Sequence, residues 1–241
     1  MSNGMELLRS RLSVLDIAFS CSQSSNFQKY YSELMVWNKK FNLTRIVDYS
    51  GVQIRHFFDS LTIVQALNSE LLKNGHFLDI GSGAGFPGIP LKIMFPGIKL
   101  TLIEATQKKA IFLNHIVQTL ELDSVSVYNE RSEILAHDPV LRNNFDVVLS
   151  RGVASLPTLV ELTLPFCKLG GLVVAHKGTN AIGEIQDASN AVGTLGGKIL
   201  ECIPTNIDKG KHPKYLVVIT KDAPTAEAYP RRVGIPRKRP L

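Results

Sequence analysis

From His76 onward, short apolar runs alternate with helical stretches, and this alternation narrows the fold more than any other feature of the chain. The runs are HFLDI (76–80), KLTLIE (99–104), SVSVY (124–128), FDVVLS (145–150), GLVVAHK (171–177), KILECI (198–203) and YLVVIT (215–220). Between them lie PGIPLKIMF (87–95), QKKAIFLNHIVQTLEL (107–122) and LPTLVELTLPFC (156–167). Strands that alternate with helices build a mostly parallel sheet covered on both faces, because a parallel return needs a crossover of helical length. The last two runs are joined only by PTNIDKGKHPK (204–214). That link is too short for a crossover helix, so a hairpin-like return should put one antiparallel strand in the sheet. The sequence therefore predicts an α/β fold.

Before Gly75 the apolar spacing is helical. Ser25 with Gln28 reads as a capping box opening a helix over 25–41, with Phe27, Tyr31, Leu34 and Phe41 near one face and Tyr30 and Trp37 flanking it. Ser50 with Gln53 reads as a second box, followed by Ile54, Phe57, Phe58, Leu61 and Val64 at helical spacing. These apolar residues are expected to pack a core. The boundaries fall near 73 and 221: a helical extension over 1–72, a sheet domain over 73–220, and a basic tail over 221–241.

The first strand runs into LDIGSGAGFPGIPL (78–91). Glycine at 81, 83 and 85 lets the chain turn tightly and approach a ligand, since no Cβ intervenes. In a doubly wound sheet, ligands bind beyond the carboxyl ends of strands where the strand order reverses, so an adenosine-type cofactor is expected here. Two motifs overlap. Gly83, Gly85 and Gly88 satisfy the dinucleotide pattern G-x-G-x-x-G, whereas Gly81, Gly83 and Gly85 follow Asp79 as G-x-G-x-G. A carboxylate at Asp79 would repel a pyrophosphate and suit a cation, such as the sulfonium of S-adenosylmethionine (SAM). Pro87 and Pro90 also stiffen the helix start where the dinucleotide pattern needs close helix–strand packing. Both features favour SAM, with a dinucleotide as the alternative. Glu104, 23 residues after Gly81, closes the second strand, where a carboxylate can accept both ribose hydroxyl protons in either case.

Charge and cysteine content exclude several classes. The net charge is +6, and the last 21 residues carry six Lys/Arg against two acidic residues, so most of the excess sits in the tail. Such a tail suits a phosphate backbone or forms a solvated, disordered end. Cys21, Cys167 and Cys202 are far apart with no C-x-x-C, and the six histidines lack metal-ligand spacing, so neither a disulfide framework nor a zinc site is expected. No apolar run approaches the roughly 18 residues that span a bilayer. Asp16 breaks the one segment that imitates a signal peptide. A cytoplasmic protein with no membrane partner is expected, with a monomer as the default.

WNKKFNLT (37–44), RHFFDSL (55–61), LDIGSGAGFPGIPL, KKAIFLNH (108–115), SRGVASL (150–156), HKG (176–178) and YLVVIT, in this order, closely resemble the bacterial small-subunit rRNA guanine-N7 methyltransferases, historically called glucose-inhibited division protein B. The tail YPRRVGIPRKRP (229–240) is similar too, and the resemblance runs from about Trp37 to the C-terminus. It implies a class I SAM-dependent methyltransferase fold, Rossmann-like, with seven strands, one of them antiparallel, and a helical extension before it. It implies SAM as cofactor, S-adenosylhomocysteine as product, and 16S rRNA of the small ribosomal subunit as partner. The target it implies is one guanine, 527 in the usual numbering. The family's cofactor contacts carry over onto Gly81 and Phe86, onto Glu104, Ala105 and Thr106, and onto the adenine-side pair Ser132 and Glu133. They also carry over onto Arg151 after the fourth strand. Family members often have Asp where this chain has Glu104, and the longer carboxylate still reaches a ribose.

The chemistry is consistent with what the chain lacks. Guanine N7 is an unprotonated acceptor, so methylating it needs no general base; alignment of donor and acceptor should suffice, with Arg151 as a positioning residue. After the fourth strand stands SRGVAS, not the Asn/Asp-Pro-Pro-aromatic run that holds an exocyclic amine, and no cysteine for a covalent step. N7 is unreachable in the deep groove of a paired RNA stem, so the target should be looped or swung out. Lys108, Arg131, Arg151, Lys177, Arg231 and Arg232 are the expected phosphate contacts, and Phe86 a stacking partner for the base. Two alternatives stand beside this reading: a SAM methyltransferase acting on another RNA, a small molecule or a protein, and a nucleotide-binding protein without catalysis.

Overall fold

In the computed structural model, residues 4–205 and 213–241 are described. The sheet has seven strands: β1 (His76–Ile80), β2 (Lys99–Ile103), β3 (Val125–Tyr128), β4 (Phe145–Arg151), β5 (Cys167–Lys177), β6 (Gly197–Thr205) and β7 (Lys214–Lys221). Their order is β3-β2-β1-β4-β5-β7-β6. β7 runs antiparallel to both β5 and β6, and every other pair is parallel. The single antiparallel strand is therefore β7, inserted between its neighbours. Of the PTNIDKGKHPK link, 206–212 lie outside the described residues. The chain builds outward from β1 to β3, then returns to β4 on the other side of β1. The connections leaving β1 and β4 therefore diverge and open a crevice beyond their carboxyl ends.

Side chains alternate across the sheet, so each face builds its own core. Leu78 and Ile80 join Val148, Val173, Ala175 and Val217 against the helix at Leu156–Thr163. Phe77, Leu100, Leu102, Val147 and Leu149 pack on the opposite side with helix Gly88–Met94, helix Gln107–Thr119 and the N-terminal extension. Met5, Leu8, Phe27, Leu34 and Phe57 of the extension belong to that same cluster. Among the described residues, no helix is long and apolar enough to cross a membrane. The stretch between β5 and β6, which carries no strong apolar period, holds two further short helices, Ala181–Asp187 and Ser189–Thr194.

The helix starts in the extension differ from the expected ones. The long helix is Cys21–Phe41, and its capping box is Ser20 with Gln23: the Gln23 amide donates to Ser20 Oγ (3.2 Å) and the Ser20 amide to Gln23 Oε1 (2.8 Å). Ser25 and Gln28 fit the same pattern but lie inside the helix. Its polar first turn shows no apolar period from which the true start could be read. The buried stripe is Phe27, Tyr30 and Leu34, so Tyr30 takes the inward place assigned to Tyr31. A second helical stretch begins at Tyr49, capped by Asp48 (Gly51 N to Oδ2, 2.6 Å) and not by Ser50, and Val52–Phe58 is wound as a π-helix.

The basic tail is neither a free arm nor a loose end. The Asp222 and Ala223 amides donate to the Gly196 carbonyl at 2.8 and 2.9 Å. The Arg142 guanidinium donates to the carbonyls of Thr225 and Tyr229, each at 2.9 Å. Arg231 grips the fully buried Glu161 with Nε at 2.9 Å and Nη2 at 2.7 Å. A buried carboxylate needs such a partner, and a bidentate guanidinium provides the closest match of shape and charge.

Because extension and sheet share one core, Trp37 fluorescence and far-UV circular dichroism should report a single coincident urea transition. Phe57→Ala, which empties the space between Phe27 and Phe86, should lower the unfolding free energy by about 3–5 kcal/mol. Separate midpoints for the two probes would contradict the shared core.

Candidate functional site

The crevice is built by the turns that follow β1, β2, β3 and β4. Gly81 opens the first turn at φ 68°, and a Cβ there would come within 2.5 Å of Val153 Cγ2. Its amide donates to the Ile103 carbonyl (2.8 Å), pinning the turn to the end of β2. At Gly85 (φ 96°) a Cβ would meet Ile89 Cδ1 at 2.6 Å and Tyr30 Oη at 2.7 Å. A side chain at either place would push the turn out of position.

Glu104 ties this turn to the next. Its Oε2 accepts the Gly83 amide (2.9 Å), its Oε1 accepts the Thr106 amide (2.7 Å), and its backbone carbonyl accepts Asn129 Nδ2 (2.9 Å). Around it lies a cleft of about 390 Å³. Gly81, Glu104, Ala105, Thr106, Ser132 and Glu133, all expected at the site, line it together. Arg131 lines it too, as does Lys109, the neighbour of Lys108. Gly83 contributes through its amide. The volume is of the order that small-molecule sites have, roughly 300–1,000 Å³.

Other expected residues are elsewhere. Asp79 is fully buried and shares its sheet face with Phe77, under the helix Gly88–Met94. Its Oδ2 accepts the Gly88 amide (2.9 Å), and its Oδ1 is buried without a partner. Burial pushes its pKa up to about 7, against the lowering effect of the Gly88 bond. The side chain does not line the cleft, so the picture of a fully charged carboxylate facing a sulfonium is corrected. Gly85 and Phe86 do not line it either. Phe86 is enclosed in a stack, with the Tyr30 ring at 5.5 Å, the His56 ring at 4.5 Å and the Arg151 guanidinium at 5.0 Å. That enclosure leaves it no free face for a target base.

Three expected phosphate contacts are engaged within the protein. Lys177 Nζ donates to the Ala154 carbonyl and to Glu184 Oε2, both at 2.7 Å, which steadies the cleft wall at Gly152–Ala154. Arg231 holds Glu161. Arg151 pairs with Asp59 (Nη1 to Oδ2, 2.8 Å) beside the extension and does not line the cleft. Lys108, Arg131 and Arg232 are exposed.

The Arg151 pair belongs to a polar cluster that local sequence does not reveal. Asp59 also accepts Lys214 Nζ (3.1 Å), and His176 Nε2 lies 2.9 Å from the Asp59 carbonyl. His56 spans Arg151 Nη2 (3.3 Å) at Nδ1 and Thr44 Oγ1 (2.7 Å) at Nε2, which makes it an acceptor toward Arg151 and a donor toward Thr44. Burial, reinforced by the Arg151 charge, lowers the His56 pKa to about 3 and that of His176 to about 4. Burial alone would raise the Asp59 carboxyl. The charges around it hold it below the usual range, and Arg151 and Lys214 are the ones that persist where His176 is neutral. Among the cleft residues that the sequence did not single out are Glu130, Val153, Thr158 and Leu162, and the tail residues Gly234, Pro236 and Arg237.

A family model described as rRNA small subunit methyltransferase G matches residues 23–210. The chain is 44% identical over 230 residues to a ribosomal RNA small subunit methyltransferase G of Dehalococcoides mccartyi, covering 95% of this chain and 97% of that protein. It is 43% identical to the protein of that description from Chloroflexus aggregans, covering 99% of each. Among solved structures, a SAM-dependent methyltransferase from Aquifex aeolicus shares the fold with a TM-score of 0.54 at 17% identity, over 74% of this chain and 97% of that one. The seven-stranded sheet with its one reversed strand is thus the SAM-dependent methyltransferase fold.

His176 and His56 are depressed in the folded state, so the unfolded chain takes up their protons first. The stability they contribute is complete above pH 6.5 and is lost as pH falls toward 4 and 3. Unfolding free energy from urea titrations should decline over that window. His176→Gln, which keeps a donor to the Asp59 carbonyl, should flatten the decline by about 1.4 kcal/mol per pH unit.

Proposed function

The chain belongs to the rRNA small subunit methyltransferase G family, and from that premise we propose that it transfers the methyl of SAM to N7 of one guanine in 16S rRNA, guanine 527 in the usual numbering, leaving S-adenosylhomocysteine. The observation that carries the cofactor reading is the Glu104 bridge. Each carboxylate oxygen accepts one backbone amide and retains a lone pair for a ribose hydroxyl. Ser132 and Glu133 border the adenine side, and Ala105 and Leu162 offer apolar surface to a purine. The dinucleotide alternative loses its anion site. The Gly88 amide, in the first turn of the helix where a pyrophosphate would rest, already donates to Asp79.

When bound, SAM supplies a methyl carried on a sulfonium. N7 carries no proton, so no side chain is assigned as general base. What the chain provides is placement. Gly81 and Val153 set the floor between β1 and β4, Lys177 holds the Gly152–Ala154 wall, and Asp59 fixes the orientation of Arg151 at the end of β4. Exposed Lys108, Arg131 and Arg232 are the candidates for phosphate contact. The partner is the small ribosomal subunit or its RNA, met in the cytoplasm by a monomer.

Methyl-labelled SAM incubated with small subunits from cells lacking this protein should label one guanine, and borohydride–aniline cleavage, which reports N7-methylguanine, should cut there. Label on another base or another guanine atom would refute the assignment. Glu104→Ala should weaken SAM binding about 10- to 100-fold by calorimetry, since it removes charge-assisted hydrogen bonds worth about 1.5–3 kcal/mol.

A further inference from the structure

We propose that the C-terminal segment is part of the cofactor site: residues 234–237 close the adenosine side of the cleft, so that bound SAM and the docked tail stabilise each other. This rests on the reading that the cleft takes SAM. Gly234, Pro236 and Arg237 line the cleft alongside Ser132 and Glu133. The Gly234 amide donates to Glu133 Oε1 (3.1 Å), which fastens the tail to the adenine-side loop itself. On the opposite wall, Thr158 Oγ1 donates to the Pro236 carbonyl (3.1 Å), and Thr158 and Leu162 of the same helix also line the cleft. One turn away on that helix, Glu161 anchors Arg231, whose Nη2 also reaches the Arg239 carbonyl (2.8 Å) and closes the segment into a loop.

The tail thus spans two walls of the cleft. Arg237 is exposed at its rim, where a planar cation suits the face of a purine. A ligand that touches both the tail and the domain binds the docked state better than an undocked one, and by linkage it must favour docking. Two of the tail's cations then act within the protein, Arg231 in docking and Arg237 toward the cofactor. A free RNA arm would leave Arg231 in solvent, whereas it is held on Glu161.

The full-length protein, Arg237→Ala and a chain ending at Ala228 should be compared for SAM affinity by calorimetry, for melting without ligand, and for hydrogen exchange with and without saturating SAM. Arg237→Ala is expected to melt like the parent and to bind SAM at least about 5-fold more weakly. SAM is expected to slow exchange of the Lys238 and Arg239 amides, which donate to the Gly234 and Ile235 carbonyls. Parent-like affinity in Arg237→Ala together with unaltered tail exchange on SAM addition would overturn the proposal. So would loss of RNA affinity with SAM affinity intact in both variants. If the full-length chain itself binds no SAM, the cofactor reading falls and the tail proposal with it; if the full-length chain binds and the variants match it, only the tail proposal falls.

Discussion

The cleft depends on one carboxylate that holds two backbone amides. Gly83 lies in a turn with positive φ and Thr106 just past β2, and neither amide donates to a backbone carbonyl. Backbone donors at the edge of a core need acceptors, and Glu104 supplies both. With its own carbonyl held by Asn129, this residue sets the spacing of three turns. The cleft is thereby held at a fixed width. The hydrogen bonds that fix the width use one acceptor position on each carboxylate oxygen.

Other buried acids show how the remaining charge is used. Asp59 is compensated by Arg151 and Lys214, Glu161 by a bidentate Arg231, and Asp79 by a single amide, so that burial shifts it toward the protonated form. The acid with two cations is held below the usual carboxylate range, whereas the one with a lone amide is raised to about 7, as the opposing costs of desolvation and pairing require. These pairs join distant parts of the chain: the extension to β4 and β7, and the tail to the helix Leu156–Thr163. Arg151, Lys214 and Arg231 therefore use their charge to hold the protein together.

The extension is more than a preface to the sheet. Tyr30, His56 and Arg151 enclose Phe86 on the far side of the glycine turn. The turn is consequently fixed from two directions: by Glu104 within the cleft, and by an aromatic stack outside it. A glycine-rich turn is intrinsically loose, and this double restraint is what gives it one shape.

The sequence by itself determined the strands, the one reversed strand near the end, the turn at Gly81 and the carboxylate at Glu104, because period, link length and glycine spacing are local quantities. It left the facing of Asp79 undetermined. Both faces of this sheet are covered, so apolar residues occupy both parities of β1 and alternation carries no sign. The capping box read from it, Ser25 with Gln28, lies inside the helix, and the box that forms is Ser20 with Gln23, ahead of a polar first turn that carries no apolar period. The tail was undecided for a further reason: Arg231 meets Glu161 across 70 residues of chain. Whether a cation is solvated or paired depends on what the fold brings beside it, and that is a property of the tertiary structure alone.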